Sequence, residues 1–177
     1  ISGGNFDGNT AVITKNSQNF IPENTRRGFH VCVFDAGTND FKWYFLFDIQ
    51  ASASIGTSFK NFLDTLIGNY LVMIAIANDV SSDGSLFTTA LKTSIKQYGS
   101  KLIDSVKVAD SWAIIGRKGA SAGSIPEHFL KRFNGKPVEI DTTIIIPNTA
   151  GTFETETIGP VSRWNNIELR YNQPINS

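Results

Sequence analysis

The longest unbroken apolar run in the chain, residues 70–77, constrains the fold more than any other feature of the sequence. The run contains the β-branched residues Val72, Ile74 and Ile76, which favour a strand. It is far shorter than the ~20 apolar residues that a membrane-spanning helix needs. We therefore expect a buried strand here and no insertion into a membrane.

Further segments also have the pattern of strands. Residues 28–35 and 41–49 are rich in β-branched and aromatic residues, and the turn-forming residues 36–40 join them. This arrangement predicts an antiparallel hairpin. Residues 112–115 predict a short strand, and the alternating, β-branched residues 138–146 predict a longer one.

Two segments have the period of an amphipathic helix. The apolar stripe of the first helix consists of Phe59, Phe62, Leu63, Leu66 and Ile67. We expect Thr57 or Ser58 to cap its start and Gly68 to end it in a left-handed conformation. The stripe of the second helix consists of Leu86, Ala90, Leu91, Ile95 and Tyr98. Gly99 is expected to close that helix, and residues 126–133 predict a helical turn.

These patterns together predict an α+β fold, in which antiparallel or mixed β-sheets pack against short helices. We expect a core domain at residues 26–147. An N-terminal β flank or linker at 1–25 contains one alternating patch at 10–14. A C-terminal β flank at 148–177 contains a predicted strand at 164–171.

The charge of the chain argues against general binding of nucleic acids. Lys plus Arg and Asp plus Glu each number 16, so the formal net charge is zero. A neutral chain has no overall field to attract phosphates. Charged residues make up 18% of the chain, less than the ~25% of ordinary soluble domains, which suits a β-rich protein with many turns.

Few residues in the sequence could perform catalysis or hold a metal. The only histidines are His30 and His128, and the single cysteine, Cys32, lies within an apolar run where it is expected to be buried. No nucleophile elbow of the Gly-x-Ser-x-Gly type is present. Residues 79–84 resemble half of a calcium loop, but Ala90 stands where the chelating Glu belongs. We therefore predict that the chain is not an enzyme and has no cofactor and no metal site.

The segment at residues 110–119 (Asp-Ser-Trp-Ala-Ile-Ile-Gly-Arg-Lys-Gly) carries the most information about family. It resembles the signature of the ILEI/PANDER-like domain, in which a D-x-W segment runs through a short strand into a G-x-K-G turn. Shorter matches agree in their order along residues 26–147. They are Gly28-Phe29-His30-Val31, Phe47-Asp48, Phe62-Leu63, Ala75 to Asp79, and Tyr98-Gly99-Ser100.

The resemblance implies a compact domain of β-sheets and short helices that acts as an accessory module without catalytic activity. Similar domains occur in interleukin-like inducers of epithelial–mesenchymal transition and in the stem of an O-mannose N-acetylglucosaminyltransferase. They also occur in hyaluronan-degrading surface proteins and in some bacteriophage tail proteins. In the transferase stem the domain is similar to a carbohydrate-binding module, which implies glycan binding.

The resemblance and the composition together lead to one functional hypothesis. We expect a receptor- or glycan-binding module of a phage tail tip or fibre, located in the virion tail. Its partners would be a host surface glycan or receptor protein and other tail subunits, with self-association as an option. The candidate ligand-binding residues are Asn78, Asp79, Asp110, Trp112, Arg117 and Lys118. For each one, a structural role competes: the Trp in the core, the acids at turns, and the cations in solvent.

Two alternatives remain open from the sequence. The domain could be a structural decoration or assembly domain of a tail, with Trp43, Tyr44 and Trp164 at interfaces. It could also be a secreted, cytokine-like signalling domain. The cytokine-like members carry disulfide-forming cysteines, and the single Cys32 cannot form an internal disulfide.

Overall fold

A computed structural model describes residues 1–78 and 85–144. Predictions about Asp79, the calcium-like segment 79–84 and the C-terminal flank with its strand at 164–171 lie outside those residues. The elements in chain order are β1 (Gly3–Gly4), β2 (Thr14–Lys15), β3 (Gln18–Asn19), β4 (Gly28–Asp35), β5 (Phe41–Phe47), α1 (Ala53–Thr65), β6 (Tyr70–Asn78), α2 (Thr89–Lys96), a 3₁₀ turn (Ile103–Ser105), β7 (Ser111–Arg117) and β8 (Glu127–Leu130).

The apolar run at 70–77 forms the central strand β6, as predicted. The main sheet has the order β5-β4-β6-β7-β8, and β1 pairs in parallel with the far end of β6. All other neighbouring strands in this sheet are antiparallel, including the predicted hairpin of β4 and β5. The fold is therefore α+β with an almost wholly antiparallel sheet, which confirms the predicted fold class.

One face of the sheet packs against both helices. Alternate residues of β4, β6 and β7 point to this face, because successive side chains of a strand point to opposite sides. Trp112 and Phe29 lie at the centre of the resulting core, with ring centroids 6.4 Å apart. Phe59 and Leu63 of α1 and Leu91 and Ile95 of α2 are fully buried against them.

The N-terminal segment covers the opposite face. Ala11, Ile13 and Ile21 pack against side chains of β4 and β6 on that face, including Cys32 and Phe34. The alternating patch at 10–14 forms only an isolated bridge at Ala11 and the start of β2. Burial of these apolar side chains stabilises the segment where a strand ladder does not.

The first helix differs from its prediction at both ends. It begins after Ser52, whose Oγ accepts a hydrogen bond from the Ser54 backbone N–H. It ends at Leu66, which has an extended backbone, so Gly68 plays no part in terminating it. Ile67 is 84% exposed and does not belong to the buried stripe. The second helix ends before Gly99, whose φ of 91° favours glycine as predicted.

Two predicted elements near residue 130 are wrong. Residues 126–133 contain the strand β8, not a helical turn, because Glu127–Leu130 pairs with β7 and this pairing outweighs the local pattern. Residues 138–144 form no strand. Val138 makes an isolated bridge with Ser2, and no strand pairs with the residues that follow within the described chain.

Candidate functional site

Trp112, the central residue of the D-x-W segment, is fully buried. Its indole Nε1 donates a hydrogen bond to Glu127 Oε1 at 2.8 Å. The same carboxylate accepts hydrogen bonds from the Ser100 hydroxyl and from the backbone N–H groups of Lys101 and Leu102. Trp112 therefore has no exposed ring face to offer a sugar and holds β7 against β8 and the turn after α2.

Asp110 is 4% exposed and connects two surface loops. Its Oδ2 accepts a hydrogen bond from the backbone N–H of Lys107 at 2.9 Å, and its Oδ1 accepts one from that of Arg132 at 2.8 Å. Both carboxylate oxygens thus have backbone partners. Asp110 fixes the distance between the loops at 107 and 132 and shapes the surface between them.

Lys118 caps the C-terminal end of α1. Its Nζ donates to the carbonyl oxygens of Leu63, Asp64 and Leu66 at 3.2, 2.6 and 2.9 Å. The last turn of α1 contains no basic residue of its own, so Lys118 supplies the cation that favours a helix C-terminus. The neighbouring Arg117 is exposed.

The described candidates do not converge on one site. Arg117 pairs with Leu71 at one end of β6, whereas Asn78 ends that strand at the other, in a left-handed conformation with φ 64°. Asp110 precedes β7, which is seven residues long, so it lies about 20 Å from Arg117 along the strand. Ligand binding through Asp79 stays a prediction, because that residue lies outside the described chain.

Asp110 instead forms the floor of an open concavity of about 490 Å³, which we call the basic concavity. The residues that line it are Ser105, Lys107, Val108, Asp110, Lys131, Arg132 and Phe133. Lys107, Lys131 and Arg132 are exposed. None of these three cations has an ion-pair partner among residues 1–78 and 85–144.

An exposed aromatic pair borders the basic concavity. The ring centroids of Phe6 and Phe133 are 4.3 Å apart, and the two residues are 52% and 69% exposed. The Arg132 guanidinium lies 5.7 Å from the centroid of Phe133. Phe133 has a φ of 66°, a strained value for a bulky residue. Close by, Asp7 Oδ1 accepts a hydrogen bond from the Gly135 backbone N–H at 2.7 Å, which fastens the loop to the N-terminal segment.

Comparison with known proteins decides the family. Residues 27–120 match the family described as Interleukin-like EMT inducer, ILEI, over more than half of the 177-residue chain. The chain belongs to the ILEI family. No curated protein matches the sequence significantly.

The ILEI match spans β4 to β7 and both helices, but it stops short of the basic concavity's loop at 131–133. Phe6 also lies outside it. Sequence reasoning missed this loop because residues 126–133 were interpreted as a helical turn. The available signal was the basic and aromatic composition of residues 131–136 (Lys-Arg-Phe-Asn-Gly-Lys), which contain no acidic residue.

A second exposed surface lies within the ILEI match, on the edge strand β5. Trp43 and Phe45 are 42% and 37% exposed, and no described strand pairs with the outer side of β5. Trp43 lies 5.4 Å from Tyr70 and Phe45 lies 4.6 Å from Phe62, measured between ring centroids. We call these four residues the β5 strip.

Another groove lies on the sheet face away from the helices, between residues 12–17 and 139–144. Its volume is about 590 Å³. The lysine that lines it, Lys15, donates a hydrogen bond to the carbonyl of Asn39 and lies 5.7 Å from the Phe34 ring centroid. The groove thus presents no cluster of cations and exposed aromatic rings like that of the basic concavity.

Two titratable residues of β4, His30 and Cys32, are buried in the fold. His30 is fully buried, with Nδ1 3.0 Å from the Tyr44 hydroxyl and Nε2 2.7 Å from the Arg26 carbonyl. Burial lowers the pKa of His30 and raises the pKa of the Cys32 thiol to about 12. The predicted burial of Cys32 is confirmed, and at neutral pH its thiol is protonated and shielded.

Two further features are absent from the described residues. No group of three or more His, Cys, Asp and Glu side chains is arranged to hold a metal ion within residues 1–78 and 85–144. Over the same residues, no helix has the length and apolar character required to cross a membrane.

Proposed function

We propose that this ILEI domain is a non-catalytic recognition module that binds a host surface glycan or receptor protein, as part of a phage tail tip or fibre. The observation that carries the proposal is the basic concavity with its exposed Phe6–Phe133 pair. Contiguous exposed apolar side chains beside polar groups are typical of interaction sites. Sugar-binding sites in particular combine an aromatic face with a few fixed polar groups.

The concavity rests on a fixed base. Asp110 bonds to the backbone at both Lys107 and Arg132, and Asp7 bonds to the backbone of Gly135. These contacts hold the two loops before any ligand arrives. A site whose geometry is already set loses less conformational entropy on binding, which favours recognition of a small, polar ligand.

The positions of the reactive side chains favour binding over catalysis. His30 and Cys32 are buried, and the Nδ1 atom of His128 lies 2.7 Å from the carbonyl of Glu139. None of these residues lines the basic concavity. A catalytic centre requires a nucleophile, a base and a charge stabiliser within reach of one another.

The phage-tail setting draws its support from the sequence. The chain is low in charge, rich in Gly and free of paired cysteines, as expected of tail fibre domains. The ILEI resemblance is compatible with that setting. The single, buried Cys32 offers no support to the secreted, cytokine-like alternative.

Binding of the purified 177-residue chain to intact bacterial cells and to a glycan array tests this function. We expect saturable binding that a free saccharide competes away. Phe133→Ser should reduce binding, since it removes the most exposed ring of the concavity, whereas Phe45→Ser in the β5 strip serves as a matched control. A folded chain that binds neither cells nor glycans would refute the recognition function.

A structural assembly role is the second candidate, and the β5 strip favours it. An exposed, aromatic edge strand is a surface onto which another strand can add. Sedimentation of the purified chain over a range of concentrations would detect self-association. If this role holds, Phe45→Lys should abolish association, because it places a charge in the middle of the strip, while Arg132→Ala should not.

A further inference from the structure

We propose that the basic concavity is an anion-binding site and that its ligand is an acidic saccharide, one that carries carboxylate or phosphate groups. This inference rests on the proposed recognition function and assigns its ligand class. The shared chemistry is a sugar ring with a negative substituent. The ring would lie against the exposed Phe6–Phe133 pair, and the substituent would contact the cations of the concavity.

The first argument is the local imbalance of charge. Lys107, Lys131 and Arg132 line a single concavity, and none of them is in an ion pair with the described residues. The chain as a whole is neutral, so overall charge does not account for this cluster. Three cations without an ion-pair partner in the described part of the chain, placed around one depression, produce a local positive potential that attracts an anion.

The acidic groups near the concavity do not form ion pairs with these cations. Asp110 is 4% exposed, and both of its oxygens accept hydrogen bonds from backbone N–H groups. Asp7 is 2% exposed and accepts its hydrogen bond from the backbone of Gly135. Residues 131–138 contain no Asp or Glu. The cationic side chains therefore face solvent, whereas the buried carboxylates accept hydrogen bonds from the backbone beneath them.

The second argument is the aromatic pair. Phe133 is held with φ 66° and remains 69% exposed, so the loop accepts backbone strain without burying the ring. Strain of this kind persists where surrounding contacts enforce it, and it is concentrated at functional positions. Here the enforcing contacts are the hydrogen bonds to Asp110 and Asp7 on either side of Phe133.

The two features together define the ligand. An exposed ring provides an apolar face for the C–H groups of a sugar, and a guanidinium matches a carboxylate or phosphate with two parallel hydrogen bonds. Arg132 lies 5.7 Å from the Phe133 ring, so both kinds of contact are available within one saccharide unit. A neutral saccharide would leave the cations without a partner.

The test is an array that contains neutral saccharides, carboxylate-bearing saccharides and phosphate-bearing saccharides in equal number, probed with the full 177-residue chain. We expect binding to acidic members, weakening as NaCl rises because exposed charges are screened. Comparison of the carboxylate-bearing with the phosphate-bearing saccharides shows which anionic group is bound. A single-stranded oligonucleotide is included, and binding that it competes more strongly than any saccharide would overturn the assignment.

The decisive variant is Lys131→Ala combined with Arg132→Ala, which should weaken binding by at least about tenfold, since charge-assisted hydrogen bonds are lost. The matched control, Arg26→Ala with Lys42→Ala, removes the same kinds of cation from positions that do not line the concavity. Circular dichroism establishes that both variants fold. Should the first variant fail to fold, the salt dependence of binding by the wild-type chain still decides whether the ligand is acidic.

The outcomes separate this inference from the proposed function. Binding to neutral saccharides only, with no salt dependence, would overturn the acidic ligand and leave the recognition function standing. Equal losses in the two double variants would show that the concavity is not the site. Absence of binding by the folded wild-type chain to saccharides and cells alike would overturn both.

Discussion

The strand β7 and the loop at residues 131–136 differ in where their basic and aromatic side chains lie. Both regions contain basic and aromatic residues, but Trp112 of β7 is fully buried, and Lys118, which directly follows β7, binds three backbone carbonyls. In the loop, Lys131, Arg132 and Phe133 are exposed. The strand belongs to the ILEI match, and the loop lies beyond its end. Within the match, Trp112 and Lys118 thus hold the scaffold, whereas the basic concavity joins residues of the match, such as Lys107, to a loop that lies beyond its end.

The difference follows from the demands of a small core. The D-x-W segment lies in the sheet beside both helices, and its indole fills the centre of the core. Its side chains are therefore constrained by close packing. A loop at the edge of the domain carries no such constraint and can present charged and aromatic side chains to a partner.

The largest expected effect is on stability, from Trp112→Ala. Removal of a fully buried indole should lower the free energy of unfolding by about 3–5 kcal/mol, measured by urea denaturation. It also leaves Glu127 without one of its donors. Arg132→Ala, from the loop, should change stability by less than about 0.5 kcal/mol. Similar losses in the two variants would contradict the division between scaffold and surface.

The adjacent residues Lys118 and Arg117 allow a closely matched comparison. Lys118→Met should destabilise the domain by about 1.5–3 kcal/mol, because three carbonyls at the end of α1 lose a charged donor. Arg117→Met removes the same charge one residue away and should cost less than about 0.5 kcal/mol. Thermal unfolding of both variants measures the difference. If Arg117→Met were the more damaging, the capping role assigned to Lys118 would be wrong.

The smallest expected effect is the pH dependence of stability that arises from the buried His30 of β4. Burial lowers its pKa in the folded chain, an effect partly offset by the hydrogen bond to the Arg26 carbonyl. Below the ordinary value of about 6.5, the unfolded chain takes up a proton that the folded chain refuses until a lower pH. The free energy of unfolding should therefore fall between pH 7 and pH 5.5. His30→Gln should flatten this dependence, and an unchanged slope would argue against the assignment.

The sequence predicted much of the fold because local patterns and tertiary contacts agreed in its centre. The hairpin of β4 and β5, the strand β6 and the two helices all follow from their hydrophobic periods. The start of α1 was misplaced because Ser52 caps it, five residues before Thr57. Residues 126–133 were misassigned because their conformation depends on β7, a partner that a local pattern does not reveal.

The candidate site was harder to predict than the fold. Among the candidates that the structure describes, Asp110, Trp112 and Lys118 hold the scaffold, and only Asp110 lines the basic concavity. A cation in a sequence can cap a helix, as Lys118 does, or face a ligand, as we propose for Arg132. Which of the two occurs depends on what the fold places within a few ångströms of it.

The sequence by itself determined the α+β class and the burial of the central strand, because these depend on the order and period of apolar residues. It also indicated the family, through the motif at residues 110–119 and the shorter matches that agree with it in order. Only the tertiary structure decided that Asp110 and Trp112 of the signature are buried and that Phe6, Lys107 and the loop after β8 meet at one surface. Those groups are far apart in the chain. Their proximity arises from the pairing of β8 with β7 and from the bonds of Asp7 and Asp110 to the loop backbone.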